Sequence, residues 1–232
     1  KVTPEEISAE ILKYIKNYSE ESLGEKISRA VITVPANFNI KQREATIKAG
    51  EMAGFKVERI ITEPTAAALA YCLENEKEEE FVKVMVYDLG GGTFDVSVGE
   101  YTNGVLEILG GSGDNQLGGG DFDRLLCDYI CEEFQKQHGI DLRDDKETRR
   151  RVLKKAIKAK ESLSARKKIS IKEPFIATKD GNTISLDMEL TRETFEDMIS
   201  EKLEGTRKAM QKALKQAKLK ADDIDLVLLV GG

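Results

Sequence analysis

Three consecutive glycines between two aspartates, DLGGGTFD at residues 88–95, limit the folds open to this chain. An apolar run, residues 82–87, precedes them. After them Phe94, Val96 and Val98 alternate with small or polar residues. Apolar runs of this length, bounded by a glycine turn, are typical of strands. The sequence therefore predicts a hairpin whose tip is a triple-glycine turn with a carboxylate on either side.

The residue types of this turn suit an anion. Glycines have no Cβ atom, so their amides can approach a ligand closely and their backbone can adopt φ values that other residues avoid. The hydroxyl of Thr93 adds one more donor. The spacing matches neither the Rossmann nor the Walker glycine pattern, which run from strand into helix. The turn is predicted to bind phosphate, or else to be a tight turn whose aspartates cap backbone amides.

A second glycine-rich segment, GGSGDNQLGGG at residues 110–120, precedes Asp121, which we expect to cap a helix that ends near His138. Backbone amides at the start of a helix form a natural anion site. The alternative for this segment is a flexible loop.

Composition excludes several classes of function. The chain has 232 residues, of which 40% are hydrophobic, enough for a substantial core. Its net charge of −6 gives no attraction to nucleic acid or to an anionic membrane. The basic stretch 149–160 lacks aromatic residues, so we interpret this stretch as a solvated helix face. No run is long enough for a membrane span and no signal peptide is evident, which favours the cytoplasm or an organelle matrix.

Cysteine and histidine are too sparse for a metal cluster. The chain has three cysteines and one histidine. Cys127 and Cys131 are one helical turn apart, which suits core packing better than zinc, and His138 is expected at a helix C-terminus. We therefore predict neither a zinc site nor a redox motif.

Periodicity and caps predict an α/β chain with at least two lobes. The predicted helices are 3–24, 40–53, 63–73, 121–138, 146–164 and 191–217. The predicted strands are 27–34, 55–61, 82–87, 94–98, 105–111, 169–171, 175–178, 183–188 and 225–230. The last strand is uninterrupted and apolar, as in a sheet covered on both faces. Because the chain stops at Gly231 and Gly232 directly after it, we expect an excised fragment.

Four motifs together resemble the ATPase domain of the 70-kilodalton heat-shock chaperones, the DnaK-type proteins. They are VPANFN at 34–39, ITEPTAAALAY at 61–71, DLGGGTFD at 88–95 and LLVGG at 228–232. The resemblance covers essentially the whole chain. It implies an actin-like ATPase fold, related to ribonuclease H, with nucleotide and magnesium in a cleft between two lobes.

This resemblance also implies a domain division. Residues 1–75 would belong to the first lobe and 76–120 to the central sheet of the second. Residues 121–223 would form an upper-lobe α+β insertion, and 224–232 the return strand.

The resemblance assigns roles to individual residues. Glu63, Asp88, Thr93 and Asp95 would be catalytic, with Asp88 near the magnesium ion and Glu63 acting on it through water. The implied nucleotide ligands are Gly90, Gly91, Gly92, Thr93, Gly118, Gly119, Lys160, Ser164, Gly231 and Gly232. Pro35 and Arg43 match the conformational switch of the family; by themselves they indicate a turn and a surface charge.

The chain departs from the family at the adenosine-binding helix. The family has Glu, Lys and Ser at i, i+3 and i+7, and these positions are Ile157, Lys160 and Ser164 here, which the spacing puts on one helix face. Glu161 stands where the family has an arginine. These changes are expected to weaken or alter recognition of the base and ribose.

Further departures concern single motif positions and the chain ends. Asn37 replaces an aromatic residue, Thr62 an asparagine and Gly120 a common acidic residue. The first glycine hairpin of the family and its catalytic lysine do not precede Lys1, and the motif that follows Gly232 is missing. We expect the fragment itself to be largely inactive.

Two hypotheses for function remain. In the first, the chain is part of the nucleotide-binding domain of a chaperone that hydrolyses ATP, with Mg²⁺, to drive client binding and folding. Its partners would be a J-domain co-chaperone, a nucleotide exchange factor and unfolded clients bound through another domain. The alternative, motivated by Ile157 and Glu161, is a non-hydrolysing regulatory or exchange-factor-like relative. A sugar kinase or filament protein of this fold is less favoured, because the Glu-Pro-Thr motif at 63–65 points to the chaperones.

Overall fold

The structure is a computed structural model that describes residues 2–36, 38–74, 81–103 and 105–232, with the side chains of 72–74 excepted. The predictions for Asn37, for the side chain of Cys72 and for the acidic run after Glu74 lie outside the described residues. The helices are α1 (Pro4–Leu23), α2 (Ile40–Met52), α3 (Glu63–Glu74), α4 (Gly119–His138), α5 (Lys146–Leu163) and α6 (Arg192–Ala217). The strands are β1 (Arg29–Val34), β2 (Lys56–Thr62), β3 (Val82–Leu89), β4 (Phe94–Thr102), β5 (Val105–Asp114), β6 (Lys168–Lys179), β7 (Asn182–Thr191) and β8 (Leu226–Val230).

The chain forms two compact units. The first unit consists of Lys1–Asp88, Asp95–Gly113 and Ala209–Val230. The second consists of Leu89–Phe94, Asp114–Lys208 and Gly231–Gly232. The chain therefore passes from one unit to the other several times, and the lobe boundaries at 75, 120 and 223 stay a prediction.

The first unit contains a four-stranded sheet in the order β5-β4-β3-β8 and a parallel pair, β1 with β2. β3 and β8 are parallel, with Val84 opposite Leu226 and Asp88 opposite Val230. Their carboxyl ends therefore lie at the same edge of the sheet, where ligands of open α/β sheets usually bind. Ala68 of α3 packs against Val84, Val86 and Leu228 in a buried cluster under this edge.

The prediction that the last strand is covered on both faces is wrong for the described chain. Leu228 is buried against α3, but the neighbouring Val227 and Leu229 are 50% and 77% exposed. Successive side chains of a strand point to opposite faces, so one face of β8 is covered and the other is not. An apolar run alone does not distinguish a strand buried on one face from a strand buried on both.

The second unit is built on α4, α5, the hairpin β6–β7 and the first part of α6. The two helices α4 and α5 pack together through apolar side chains. The buried residues of these helices are Phe122, Leu126, Cys127, Ile130, Cys131, Phe134, Val152, Ala156, Ala159 and Leu163. Asp180 and Gly181, both with positive φ, form the turn between β6 and β7, as predicted.

β6 is one strand where the sequence predicts two. Its register with β7 shifts between Glu173 and Ala177, and Phe175 within the shift has a φ of 52°. Proline cannot donate to a ladder, so Pro174 interrupts the pairing without ending the strand. Arg151 of α5 holds this irregular segment of β6 in place. Its guanidinium donates to the carbonyl of Pro174 at 2.9 Å and to the carboxylate of Glu173 at 2.7 Å.

Most predicted helix ends are confirmed. Thr3 caps α1 in a capping box with Glu6, and Gly24 ends it with a φ of 70°. Gly139, with a φ of 72°, ends α4 after His138. None of the helices among the described residues combines the length and apolar character that a membrane span requires.

One predicted cap is wrong. α4 begins at Gly119 with Gly118 as its cap, so Asp121 lies in the first turn and not before it. The Asp121 carboxylate accepts from the amide of Gly118 at 2.9 Å. The carboxylate thus reaches back to the cap, as the third residue of a capping box does.

Candidate functional site

The tip of the β3–β4 hairpin is joined to the first residues of α4 within the second unit. The amide of Gly90 donates to the Thr93 carbonyl at 3.0 Å, which closes the turn. The amides of Gly119 and Gly120 donate to the carbonyls of Gly90 and Gly91 at 2.9 and 2.8 Å. The two glycine segments that the sequence singled out therefore form one structure, with the N-terminus of a helix of 20 residues beside the turn.

Close packing explains the glycine at 118, and open space surrounds those at 91 and 92. A Cβ atom on Gly118 would lie 2.5 Å from the amide nitrogen of Gly92, a distance that real Cβ atoms do not reach. A Cβ on Gly91 or Gly92 would meet nothing within 4 Å. None of the hairpin glycines has a positive φ, so the predicted need for unusual φ values is wrong here. These glycines therefore leave the backbone of the turn uncovered by side chains.

The N-terminal part of the second glycine segment has a different role. Gly110 and Gly111 belong to β5 and not to a loop. A Cβ on Gly110 would lie 2.5 Å from the Ala213 carbonyl of α6, and the Gly111 amide donates to Gln216 at 3.1 Å. Gly110 therefore allows a helix and a strand of the first unit to approach closely, and the predicted anion-binding segment is shortened to its last residues.

Lys160 lies beside the glycine structure, held by two contacts. Its Nζ atom is 2.8 Å from a carboxylate oxygen of Asp123 on α4 and donates to the Gly119 carbonyl at 3.3 Å. Both partners of the ion pair are half-buried, so solvent screens the pair less than it screens surface pairs. Asp123 was not predicted from the sequence. It lies near the N-terminus of α4, where the helix dipole favours a carboxylate.

A cavity of about 560 Å³ in the second unit collects five of the predicted ligand residues. They are Gly90, Gly119, Lys160, Ser164 and Gly232. The rest of the wall is Leu89, Phe122, Leu163, Arg192, Phe195, Glu196, Ile199 and Leu203. A volume of several hundred cubic ångströms, with apolar walls and a few polar groups, is typical of sites for small molecules and cofactors.

One side of this cavity is a face of α6 that the sequence reasoning did not select. Its residues from Arg192 to Leu203 follow the i, i+3, i+4, i+7 spacing of a single helix face, so the pattern was present in the sequence. Arg192 is fixed in place because its guanidinium donates to the carbonyls of Leu163 and Ser164 at 2.8 and 3.2 Å. These two bonds also satisfy carbonyls at the end of α5.

Ile157 does not share the cavity wall with Lys160 and Ser164. It lines a second cavity of about 360 Å³, together with Glu161 and with Glu173 of β6. Ile157 lies almost one turn closer to the N-terminus of α5 than Lys160, and Ser164 follows the last residue of the helix. That axial distance places Ile157 at the neighbouring cavity. The predicted effect of Ile157 and Glu161 on base recognition stays a prediction.

Three carboxylates form an acidic cluster in the first unit. Asp88 is near the end of β3, Asp95 follows the first residue of β4, and Glu63 begins α3 directly after β2. Asp95 is only 7% exposed. Burial raises the pKa of all three carboxyls, and the charge of Asp88 further raises the pKa of Glu63 and of Asp95. In the described part of the chain no basic side chain forms an ion pair with any of the three.

The cluster suits a hydrated cation better than a directly ligated one. Among the described residues, no group of three His, Cys, Asp or Glu side chains is placed to hold one metal ion. Magnesium keeps several water molecules and commonly binds proteins through one or two carboxylates. Raised pKa values and unneutralised charge are the features that such an ion would relieve.

Pro35 and Arg43 lie together in the first unit. The amide of Phe38 donates to the Pro35 carbonyl at 3.2 Å, which forms the predicted turn. Arg43 of α2 donates to the carbonyl of Phe38 at 3.0 Å and to that of Ala36 at 3.3 Å. Arg43 is therefore bound to the turn and is not a free surface charge. Its role as a switch stays a prediction.

A glycine turn bonded to a helix N-terminus, a cavity of cofactor size and an acidic cluster at a sheet edge define an α/β protein suited to a phosphorylated ligand. Comparison with known protein families identifies the family to which this α/β protein belongs. A family model described as Hsp70 protein matches residues 1–232, and the chain belongs to this family. Its fold is the actin-like ATPase fold of that family.

Curated relatives agree with the family assignment. The chain is 52% identical over 230 residues to the chaperone protein DnaK of Thermosipho africanus and of Thermosipho melanesiensis. It is also 52% identical over 231 residues to that of Thermotoga maritima. In each case the match covers 99% of this chain and 38% of the relative. The chain thus spans about two fifths of the length of these relatives.

Proposed function

We propose that this chain is a nucleotide-binding part of a chaperone ATPase domain and that it binds adenosine di- or triphosphate with magnesium. The observation that carries the proposal is the cavity of about 560 Å³, where Gly90, Gly119, Lys160, Ser164 and Gly232 meet. These residues are distant in sequence, and the family resemblance implies that each of them is a nucleotide ligand. Their convergence on one cavity is the outcome that a nucleotide site requires.

The residues present fit the nucleotide. The apolar part of the cavity, with Phe195 and Ile199, is suited to a base, and the Lys160 and Ser164 side chains can donate to the ribose hydroxyls. The open faces of Gly91 and Gly92 leave room for phosphate oxygens next to the backbone. The N-terminus of α4 adds the positive end of a helix dipole.

The acidic cluster fits magnesium. Burial raises the pKa of Glu63, Asp88 and Asp95, and repulsion from neighbouring carboxylates raises the pKa of Glu63 and Asp95 further. A divalent cation would relieve that repulsion. Bound magnesium supplies charge neutralisation on the phosphates. The protein's own contribution is to hold the ion's water shell with Asp88 and Glu63 and to orient a water molecule with Asp95, so that positioning and electrostatics provide the rate.

The activity of the whole protein is part of the proposal. By family resemblance, the parent protein hydrolyses ATP to drive cycles of client binding and folding, with a J-domain co-chaperone, a nucleotide exchange factor and unfolded clients as partners. Pro35 and Arg43 would transmit the nucleotide state outward through the turn that they share. A cytoplasmic location also follows from the resemblance alone.

Calorimetric titration of Mg-ADP and Mg-ATP into the chain tests the nucleotide site. We expect binding in the micromolar range, weakened about tenfold or more in Lys160→Ala, which removes a charged donor from the cavity wall. Lys158→Ala is the matched control, since Lys158 is an exposed lysine of the same helix that lies outside this cavity. Equal affinity for the two variants would contradict the proposed site.

Hydrolysis needs a separate test on the parent protein. We expect Asp95→Asn to slow single-turnover ATP hydrolysis by at least a hundredfold while nucleotide still binds, because the carboxylate would orient the attacking water. Equal single-turnover rates for the wild type and the variant would remove Asp95 from the chemistry. A parent that binds ATP but never hydrolyses it would favour the regulatory alternative.

A further inference from the structure

We propose that Cys127 is a thiol-modification site, which forms a mixed disulfide with small disulfides that carry negative charge. The proposal concerns a cavity between α4 and α5 that is separate from the nucleotide cavity. It does not depend on the proposed function, since neither the reaction nor its test involves nucleotide.

The cavity beside Cys127 has a volume of about 330 Å³ and a cationic lining. Its wall consists of Arg124, Cys127 and Asp128 from α4 and Lys146, Arg149, Arg150 and Leu153 from α5. Four of these seven residues carry a positive charge and one a negative charge. Arg124 is paired with Asp121 at 2.8 Å, whereas Lys146, Arg149 and Arg150 form no ion pair with any side chain that the structure describes. The cavity is therefore suited to an anionic ligand of small size.

The N-terminus of α5 adds to this positive potential. Lys146 is the first residue of the helix, which has 18 residues, and the wall residues Arg149 and Arg150 belong to its first two turns. The amides at the start of a helix favour a nearby anion, including a thiolate. The opposing charges are those of Asp128 in the wall, of Glu147 in the first turn of α5 and of Asp145, whose carboxylate caps the helix by accepting from the Thr148 amide at 2.7 Å.

Cys127 is one of two neighbouring thiols with different properties. Cys127 and Cys131 lie one turn apart on α4 and are 2% and 0% exposed, and Cys127 alone of the two lines the cavity. The Cys131 thiol donates a hydrogen bond to Cys127, which lowers the pKa of Cys127. Burial and the charge of Asp128 raise this pKa, and the charges of Arg149 and Arg143 lower it. The same hydrogen bond and burial raise the pKa of Cys131. The hydrogen bond therefore favours ionisation of the thiol that lines the cavity over ionisation of its neighbour.

The reaction is thiol–disulfide exchange. The Cys127 thiolate, after loss of its proton to solvent, attacks one sulfur of a disulfide RSSR. A bond forms between Cys127 Sγ and that sulfur, the RS–SR bond breaks, and the second sulfur leaves as RS⁻, which takes up a proton from water. The oxidant is the small disulfide itself. Carboxylate groups on R would lie among Lys146, Arg149 and Arg150.

The test compares two reagents of similar size and opposite charge character on the whole chain. Dithiobis(nitrobenzoate) is a dianionic disulfide and dithiodipyridine is neutral. The background is Cys72→Ala, so that only the α4 thiols are measured, and peptide mapping assigns the product. We expect one modified residue, Cys127, and a rate ratio of anionic to neutral reagent that is higher in the folded than in the urea-unfolded chain.

Charge variants test the role of the cavity. Arg149→Gln and, separately, Lys146→Gln are each expected to lower the anionic-to-neutral rate ratio about threefold, because each removes one unit charge near the reagent. Arg166→Gln, an exposed arginine of the second unit that forms no ion pair in the described chain, is the matched control and should leave the ratio unchanged. Circular dichroism confirms that each variant is folded.

The thiols are tested in the same assay. Cys127→Ser should abolish the reaction, and Cys131→Val should leave it at Cys127 but slow it near neutral pH, since the donor to the thiolate is lost. The proposal is overturned if Cys127 in the folded chain does not react with the anionic reagent at all. It is also overturned if Arg149→Gln and Arg166→Gln have the same rate ratio as the wild type.

Discussion

The acidic cluster of the first unit and the proposed nucleotide cavity of the second unit balance their charges in opposite ways. The cavity has its cation, Lys160, paired with Asp123 at 2.8 Å and bonded to a backbone carbonyl. In the acidic cluster, Glu63, Asp88 and Asp95 face one another without a basic partner among the described residues, and their pKa values are raised. The charge of Lys160 is thus balanced within the protein, whereas the negative charges of the cluster are not.

This difference indicates whether the shape or the charge of the side chains matters more in each region. The cavity depends on shape, and above all on glycines at which a Cβ atom would collide with backbone. The cluster depends on charge held in a buried position. Substitutions that change shape should therefore damage the second unit, and substitutions that remove charge should stabilise the first unit.

The largest effect is expected for Gly118→Ala. The new Cβ would lie 2.5 Å from the Gly92 nitrogen and 2.6 Å from the Gly91 carbonyl carbon, so backbone must move. We expect the free energy of unfolding to fall by about 2 kcal/mol or more, as overpacking against backbone usually costs. Urea titration followed by circular dichroism measures it.

Gly91→Ala is the control for this change. It adds the same methyl group to the same structure, but at a position with nothing within 4 Å and no positive φ. We expect a change within about 0.5 kcal/mol. Equal destabilisation by both variants would mean that the glycine structure is not packed as described.

A smaller loss is expected for Asp123→Asn. This change leaves the half-buried Lys160 without its counter-charge, which should cost about 1 to 2 kcal/mol, between the values for exposed and for fully buried pairs. Thermal unfolding of the chain gives the loss. Glu189→Gln, which breaks the exposed pair with Lys168, should change stability by less than about 0.5 kcal/mol. If the two losses are alike, the Lys160 pair is not protected from solvent.

Asp95→Asn should have the opposite sign. Removal of one of three repelling charges from a residue that is 7% exposed should raise the free energy of unfolding at pH 7 by about 1 kcal/mol in the absence of divalent cations. Saturating Mg²⁺ should stabilise the wild type more than the variant. A variant less stable than the wild type without Mg²⁺ would contradict the account of strain.

The stabilisation by Asp95→Asn should also depend on pH. The folded-state pKa of Asp95 is raised, so the folded chain holds this proton more tightly than the unfolded chain does. The resulting stability is present below the unfolded pKa of about 4 and is lost as pH rises through the folded pKa. The difference between variant and wild type should therefore grow from near zero below pH 4 to its full value at pH 7. Urea titrations across this range measure the difference, and a difference that stays constant with pH would exclude titration of Asp95 as its cause.

The sequence predicted the helices and strands well, because caps, periodicity and glycine spacing are local signals. It located Thr3, Gly24 and Gly139 at helix ends. It did not find Asp123, since an ion pair with Lys160 depends on how α4 packs on α5 and leaves no local pattern. It also could not show that one face of β8 is exposed, because coverage of a strand is set by its neighbours.

The sequence alone also does not show which glycines have a packing role. From sequence alone the glycines at 90–92, 110 and 118 look alike. In the structure Gly110 packs directly against the backbone of α6, and Gly118 packs directly against the backbone of Gly91 and Gly92. A Cβ on Gly91 or Gly92 would meet open space. A Cβ on Gly90 would make only an ordinary contact, 3.5 Å from the Thr93 carbonyl oxygen, so none of the three hairpin glycines has a packing role. They are the positions where a ligand best explains the residue type.

Hydrogen exchange of the whole chain, with and without Mg-ADP, tests the central claim most directly. Nucleotide binding is predicted to protect amides of residues 88–95 and 118–123 and to leave α1 and α2 unchanged. The comparison is informative because α1 and α2 border a cavity of about 630 Å³, larger than the nucleotide cavity. Protection confined to that groove, or no protection at 118–123 under saturating nucleotide, would contradict the assignment.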